Sequence, residues 1–326
     1  MKSEEPASKK ARFKARAETG LGIGLCLLVL ALLLVGRGKP GAQTLATTQD
    51  TAPNLLRVAT WNLRDCAARD PISKAEILLH DDIARFLAKS EIDIAVFEEV
   101  QVDKAKGGDI ALLAGALAKA GRPMPYTAIA DTKGEDDIAI FSRYEIVSQE
   151  VILIPLKGDP WPRSGLHAVI SISGKLLHVF GFHFKAMGGL ESENARIAQA
   201  RALADLLRYK FSDELKSGFL LLAGDFNTAN DSDLGITGST LSYLSMKEDK
   251  NPENDLIPSN YLYKRNQSTF NDSRYSSLLD HILLSPRLGL GVEAQDVLVL
   301  QSERRQDGIP VSDHSLVAVE IPFPLR

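Results

Sequence analysis

Asp225 and Asn227 close the stretch LLLAGDFNTAN, residues 220–230, where an apolar run ends on a carboxylate and a carboxamide separated by one residue. Side chains two apart in a strand leave on the same side of the chain. Such a pair at a strand end can serve a hard metal ion, a polar substrate or a turn. The pattern recurs: LRVATWNLRD runs into Asn62, DIAVFEEVQ into Glu98 and Glu99, and LHVFGFHFKA ends with His183. SLLDHILLS begins with Asp280, and PVSDHSLVAVEI with Asp313 and His314. Any one of these groups is explained by a turn or a cap. Six of them at the ends of otherwise apolar runs describe one site at one rim of packed sheets.

The elements that must carry these residues are many strands and few helices. Apolar, often β-branched runs predict strands at Leu55–Trp61, Ile92–Phe97, Asp137–Phe141, Ile146–Ile154, Leu166–Ile172, Leu176–Phe182, Phe219–Ala223, Leu279–Leu284, Val292–Leu300 and Leu316–Ile321. Helical patterns fall at Ile72–Ser90, Ile110–Ala120 and Ser192–Phe211, the last with Ser192 as N-cap. Strands so often adjacent in sequence suggest packed sheets with helices outside rather than a doubly wound βαβ repeat.

The N-terminus differs in kind. A basic leader over residues 1–19, with Lys9, Lys10, Arg12, Lys14 and Arg16, precedes the uncharged run GLGIGLCLLVLALLLVG at 20–36 and a polar linker at 37–53. That run is near the lower limit for a bilayer span and slightly long for a signal-peptide core. The long leader and the lack of a small-x-small cleavage site favour an uncleaved transmembrane anchor, with the leader cytoplasmic and the rest of the chain outside the cytoplasm. Cleavage of the segment would make the protein secreted or periplasmic. With Cys26 in the apolar run and Cys66 the other cysteine, no disulfide framework is available. Residues 1–50 hold 8 Lys and Arg against 4 Asp and Glu, which leaves 30 basic and 38 acidic residues, a balance of −8, for the remainder. That acidity argues against a protein that coats nucleic acid by counterion release. It leaves open binding of a phosphate through a metal.

TWNLR, FEEV, FHFKA, GDFN, LDHILLS and SDHS, in this order from residue 60 to residue 315, resemble the endonuclease/exonuclease/phosphatase superfamily of metal-dependent phosphoesterases. The resemblance covers essentially everything after the anchor, residues 54–326. GDFN with a downstream SDH is its specific part. It implies an α/β (α+β) fold, a four-layer sandwich of two packed, mostly antiparallel sheets flanked by helices, with the site at one edge.

Matched position by position, the resemblance makes Glu99 the metal-binding carboxylate, with Glu98 where a glutamine is usual. Strand alternation lets one of the two face the site, and Glu99 is the choice. Asn62 would orient that carboxylate and the cation, and Asp313 would be a metal-side carboxylate or the anchor of His314. All-oxygen ligation suits Mg²⁺ or Mn²⁺, with Ca²⁺ as a supporting ion, rather than zinc. Asp225 would orient or deprotonate the water, Asn227 donate to a phosphoryl oxygen, and His314, held by Asp280, contact the phosphate. His183 is a candidate to protonate the leaving group, and either histidine could be the acid. Arg163 could bind phosphate or brace His183, and Lys185 could touch substrate. Arg196 and Gln199 resemble an anchoring pair on the following helix, while His167, His178 and His281 read as packing residues. Arg64 stands where the abasic-site endonucleases carry an aspartate, which favours the DNase-like or sphingomyelinase-like side. The expected activity is a divalent-metal phosphodiesterase, with nucleic acid, DNA or RNA, as the leading substrate. A phospholipid or inositol phosphate is the runner-up, and a non-catalytic binding module of the same fold is the alternative of a different class.

Overall fold

Each strand that reaches the rim carries one row of side chains pointing between two sheets, and that row changes from apolar to polar at the rim. A computed structural model describes residues 55–102, 108–131, 137–154, 164–228, 233–259, 267–271 and 275–323. The leader, apolar segment and linker (1–53) and Arg163 lie outside them. Among the described residues no helix is long and apolar enough to cross a membrane.

In chain order the strands are β1 (Leu55–Asn62), β2 (Ala67–Arg69), β3 (Glu76–Leu78), β4 (Ile94–Val100), β5 (Tyr126–Ala130), β6 (Asp137–Ser142), β7 (Ile146–Leu153), β8 (Ser164–Ile172), β9 (Lys175–His183), β10 (Phe219–Asp225), β11 (Ile257–Pro258), β12 (Phe270–Asn271), β13 (Ser276–Ser277), β14 (Asp280–Leu284), β15 (Val297–Leu300) and β16 (Leu316–Pro322). The helices are α1 (His80–Lys89), α2 (Asp109–Lys119), α3 (Leu190–Lys210), α4 (Ser212–Ser217) and α5 (Thr240–Leu244). Two six-stranded sheets, ordered β15-β16-β1-β4-β6-β5 and β11-β14-β10-β9-β8-β7, form the centre. Their pairings are antiparallel except β1 with β4 and β9 with β10. The expected four-layer sandwich is therefore present.

Period-two patterning sets the layers. Val58, Val96, Ile140, Val179, Leu221, Ile282 and Val317 fill the space between the sheets. Trp61, Phe97 and Phe141 face the other way, against Ile83, Leu87, Leu113 and Leu117 of α1 and α2. Phe180, Phe182 and Leu222 pack against Leu203 and Leu207 of α3 and Leu241 of α5.

Three expected elements differ. The helix predicted over Ile72–Ser90 begins at His80, because Asp70 caps the backbone N–H groups of Ile72 and Ser73 and β3 then pairs with β2. The helix predicted to start at Ser192 starts at Leu190: Gly189, at φ 96°, turns the chain into it and Ser192 lies inside. The strand predicted over Val292–Leu300 begins at Val297, since Glu293 and Asp296 form a capping box around a short 3₁₀ turn. No pattern in the sequence announces β2, β3, β5, β11, β12, β13, α4 or α5.

Candidate functional site

The apolar inner rows end at the rim in polar residues. On β1, Leu56 and Val58 are followed by Thr60 and Asn62; on β4, Ile94 and Val96 by Glu98; on β9, Val179 and Gly181 by His183; on β10, Leu221 and Ala223 by Asp225. β14 runs the other way, so its inner row opens with Asp280 before Ile282. Register brings the residues side by side: Asn62 opposite Glu98, and Asp225 opposite both His183 and Asp280. Gly224 permits this closeness. Its φ is +152° and a Cβ there would meet the Phe182 carbonyl oxygen at 1.9 Å.

Glu99 arrives differently. Alternation points Glu98 inward, and the β4–β6 register slips between Phe97 and Val100 with Glu99 at φ 52°, which turns its side chain into the cleft. The bulge breaks the alternation, so Glu99 lines the cleft while Glu98, on the inner row, does not. Glu98 is fully buried, accepts a bond from Thr60 Oγ1 at 2.8 Å, and lies behind the site. Burial pushes its carboxyl well above the ordinary range, and the charge of Asp280 adds to the effect.

Asn62 Nδ2 donates to Glu99 Oε1 at 2.9 Å and Asp225 Oδ2 at 3.2 Å, while its Oδ1 accepts from the Arg64 backbone. Its amide thus holds two carboxylates together. Asp225 Oδ1 accepts from the Asn227 backbone at 2.9 Å, with Asn227 at φ 51°, and the Asn227 amide donates to the Phe184 carbonyl. His314 Nδ1 lies 2.9 Å from Asp280 Oδ2 and 3.1 Å from Oδ1, and its Nε2 is 3.8 Å from Asp225 Oδ2. His183 Nε2 stands 3.8 Å from both Asp225 Oδ2 and Glu99 Oε1. One carboxylate oxygen, Asp225 Oδ2, therefore faces Asn62 and both imidazoles.

Burial pushes Asp225 up, as does the charge of Asp280, to about 7. For His314 burial acts downward, and the charge and hydrogen bond of Asp280 overcome it, raising the imidazolium to about 10. Glu98, Glu99, Asp225 and Asp280 crowd one rim with two histidines, and the charge of Asp280 adds to burial in raising both Glu98 and Asp225. A divalent cation held by Glu99 beside Asn62, with oxygen donors, fits that donor set.

The remaining expected residues fall into place around a cleft of about 780 Å³, which is lined by Glu99, His183, Asp225, Asn227, Asp313 and His314 together with Arg64, Arg196, Phe270 and Tyr275. Asp313 pairs with Arg64 at 3.2 Å on its wall. Lys185 does not line it. Its carbonyl accepts from Arg196 and its backbone N–H donates to Gln199 Oε1, so the two buried helix residues anchor the loop after β9 as expected. His281 faces away, 2.7 Å from Thr228 Oγ1, and His167 stacks on Phe180. Sequence reasoning missed Ser312, whose hydroxyl donates to the Asn62 carbonyl and accepts from the His314 N–H, and Trp61, whose indole bonds the His314 carbonyl. Ser312 had a signal, a hydroxyl two residues before the histidine. Phe270 and Tyr275 on the cleft wall had none.

A sandwich that gathers Asn62, Glu99, His183, Asp225, Asp280 and His314 on one rim defines a phosphoesterase of the DNase I-like type. The chain matches the Endonuclease/Exonuclease/phosphatase family over residues 59–314 and belongs to it. Among solved structures it is similar to TDP2 from Caenorhabditis elegans, with a TM-score of 0.60 and 16% identity over 82% of this chain and 74% of that one. An endonuclease/exonuclease/phosphatase family protein from Bacteroides thetaiotaomicron aligns with a TM-score of 0.58 and 22% identity over 84% and 99%. The mannosyl-6-phosphatase Bt3783 of the same organism aligns with a TM-score of 0.56 and 21% identity over 82% and 100%. No curated protein sequence matches the chain significantly.

Proposed function

We propose that this chain is a divalent-metal-dependent phosphodiesterase acting on nucleic acid outside the cytoplasm, held at the membrane by residues 20–36. The observation that carries the reaction is the convergence of Asn62, His183 and His314 on Asp225 Oδ2. A phosphodiester repels an incoming hydroxide, so its hydrolysis requires charge neutralisation, an in-line water and a proton for the leaving oxygen. A cation at Glu99 would supply Lewis-acid polarisation of the phosphoryl oxygen. Asp225 orients the water and takes its proton. His314, kept an imidazolium by Asp280, donates from Nε2 to the phosphate, and Asn227 donates its amide as charge develops. His183, near both Glu99 and Asp225, is placed to protonate the leaving oxygen. Arg163 and Lys185 remain candidate substrate contacts on the family resemblance alone, and Asp313 pairs with Arg64 on the cleft wall.

Tyr275, exposed on the cleft wall, supports nucleic acid as the substrate, because an aromatic ring beside a phosphate site suits an unstacked base. A zebrafish TDP2 of the same fold is complexed with a single strand DNA product, at a TM-score of 0.59 and 16% identity. The second reading, a phospholipid or inositol phosphate, is favoured by the balance of −8 after residue 50 and by the apolar run beside it. The test uses the full chain in detergent micelles, with Mg²⁺ or EDTA, on single-stranded and plasmid DNA, RNA, sphingomyelin, inositol phosphates and bis-p-nitrophenyl phosphate. Metal-dependent cleavage of DNA or RNA, abolished by Asp225→Ala and His314→Ala, is the expected result. Turnover of the lipid or inositol substrates alone moves the assignment to the second reading. A folded, metal-binding chain with no turnover on any of them defeats both and leaves a narrow small-molecule phosphatase or a binding module.

A further inference from the structure

Behind the strand ends that carry Asn62 and Glu99 lies a second cluster of ligating groups. Cys66, His80 and Asp109 each offer a ligand atom, and these three atoms all lie within 4.8 Å of one another. They come from three separate elements: the turn after β1, the first residue of α1 and the first residue of α2. All three are buried, Cys66 at 0%, His80 at 6% and Asp109 at 8% exposure. His80 Nε2 is 2.8 Å from Asp109 Oδ1, while Asp109 Oδ2 accepts from the Gln101 backbone at 2.7 Å. The Cys66 carbonyl accepts from the Leu79 N–H, which ties the cysteine turn to the start of α1.

From this geometry we infer a second metal site, in which Cys66, His80 and Asp109 bind one zinc-like transition-metal ion that is distinct from the catalytic cation. The donor set decides the class. Thiolate and imidazole prefer Zn²⁺ or a similar borderline ion, whereas the rim of the sandwich offers oxygen to hard ions. Three protein donors leave one position of a tetrahedral ion for water. Charge closes as well: binding deprotonates the Cys66 thiol, releases that proton to solvent, and sets thiolate and carboxylate against a dication. In the metal-free chain the same carboxylate works against the thiol, which burial first and then Asp109 keep protonated. Cys66 sits four residues after Asn62, and Asp109 accepts from the backbone of Gln101, two residues after Glu99. An ion there would pin both catalytic strand ends to α1 and α2, so its role is structural and its occupancy independent of turnover.

The site is tested with Co²⁺ on the full chain in detergent micelles, reduced and stripped of metal. A thiolate-to-cobalt charge-transfer band saturating at about one equivalent is expected, because the oxygen donors at Glu99 cannot produce one. The band should be kept in Glu99→Ala, lost in Cys66→Ser, and displaced by Zn²⁺. Its absence from the folded wild-type chain, or its persistence in Cys66→Ser, which retains Cys26, would overturn the inference. If Cys66→Ser fails to fold, His80→Gln gives the decision: Co²⁺ affinity should fall about tenfold or more, and unchanged affinity sinks the site.

Discussion

Asp225 is buried beside Asp280, a setting that disfavours its own ionisation. Its folded pKa, about 7, stands above the ordinary 3.8, so the folded state resists ionisation more than the unfolded one does. Without metal this costs stability as pH rises from about 4 through 7, with nothing lost below that window. Asp225→Asn in EDTA should therefore raise the unfolding temperature at pH 8 and leave it unchanged at pH 4, while lowering kcat by about 10²–10⁴. A destabilised variant at pH 8 would refute the buried-charge account. His314 has the opposite chemistry: a raised base is stabilising below about 6.5, and that stabilisation fades as pH climbs through about 10. Asp280→Asn removes its cause. Its rate profile should lose activity on the alkaline side at a lower pH than wild type, and an unmoved limb would exclude the Asp280–His314 pair as the source. The two glutamates separate cleanly. Glu98→Gln keeps the Thr60 hydrogen bond without a buried carboxyl, and should retain activity with equal or greater stability above neutral pH. Glu99→Gln should lose metal affinity and turnover. Equal losses in the two would mean that both glutamates hold the cation.

At the scale of elements, the site is the continuation of sheet patterning past the end of the core. This is why so much of it was legible in the sequence: Asn62, His183, Asp225 and Asp280 sit in phase with Val58, Val179, Leu221 and Ile282, and an apolar row turning polar marks a rim wherever it occurs. Legibility failed where backbone geometry broke phase. Nothing in FEEV announces that Glu99 takes φ 52° and turns into the cleft. In the same way, an Asx turn at Asp70 and a left-handed Gly189 moved two helix starts that periodicity had placed elsewhere. The aromatic wall was invisible for another reason, since Phe270 and Tyr275 belong to a polar stretch with no period to read. Gly224 is where sheet geometry and chemistry meet. The β9–β10 approach leaves 1.9 Å between a Cβ and the Phe182 oxygen, so Gly224→Ala must push β10 away from β9, at about 2–3 kcal/mol. Urea unfolding should show that loss, and kcat should fall with it because Asp225 moves relative to His183. Wild-type stability in this variant would mean that the strands can slide apart without strain.

For the whole molecule, the opposition is between the proposed phosphate site at the rim and an acidic balance in the rest of the chain. After residue 50 the chain carries a balance of −8, so on the proposed reading a long polyanion would approach against the mean field and be drawn in only locally, by the cation, His314 and Arg64. Nucleases that track a backbone through a basic face lose affinity steeply as salt rises. The reverse is expected here. Between about 20 and 150 mM salt the Debye length shrinks from roughly 20 Å to about 8 Å, which screens the distant acidic surface more than it screens the buried rim. With Mg²⁺ held constant, kcat/KM on long single-stranded DNA should therefore rise or stay level across that range, and on the small monoanion bis-p-nitrophenyl phosphate it should be nearly flat. Short oligonucleotides should fall between the two, because fewer of their phosphates lie outside the rim. A steep fall with salt on long DNA would show that the approach is governed by a basic track, and the Lys9–Arg16 cluster of the leader would be the first place to remove charge. A flat response on DNA alongside fast turnover of a zwitterionic lipid would instead mean that the acidic body evolved beside a bilayer rather than a nucleic acid.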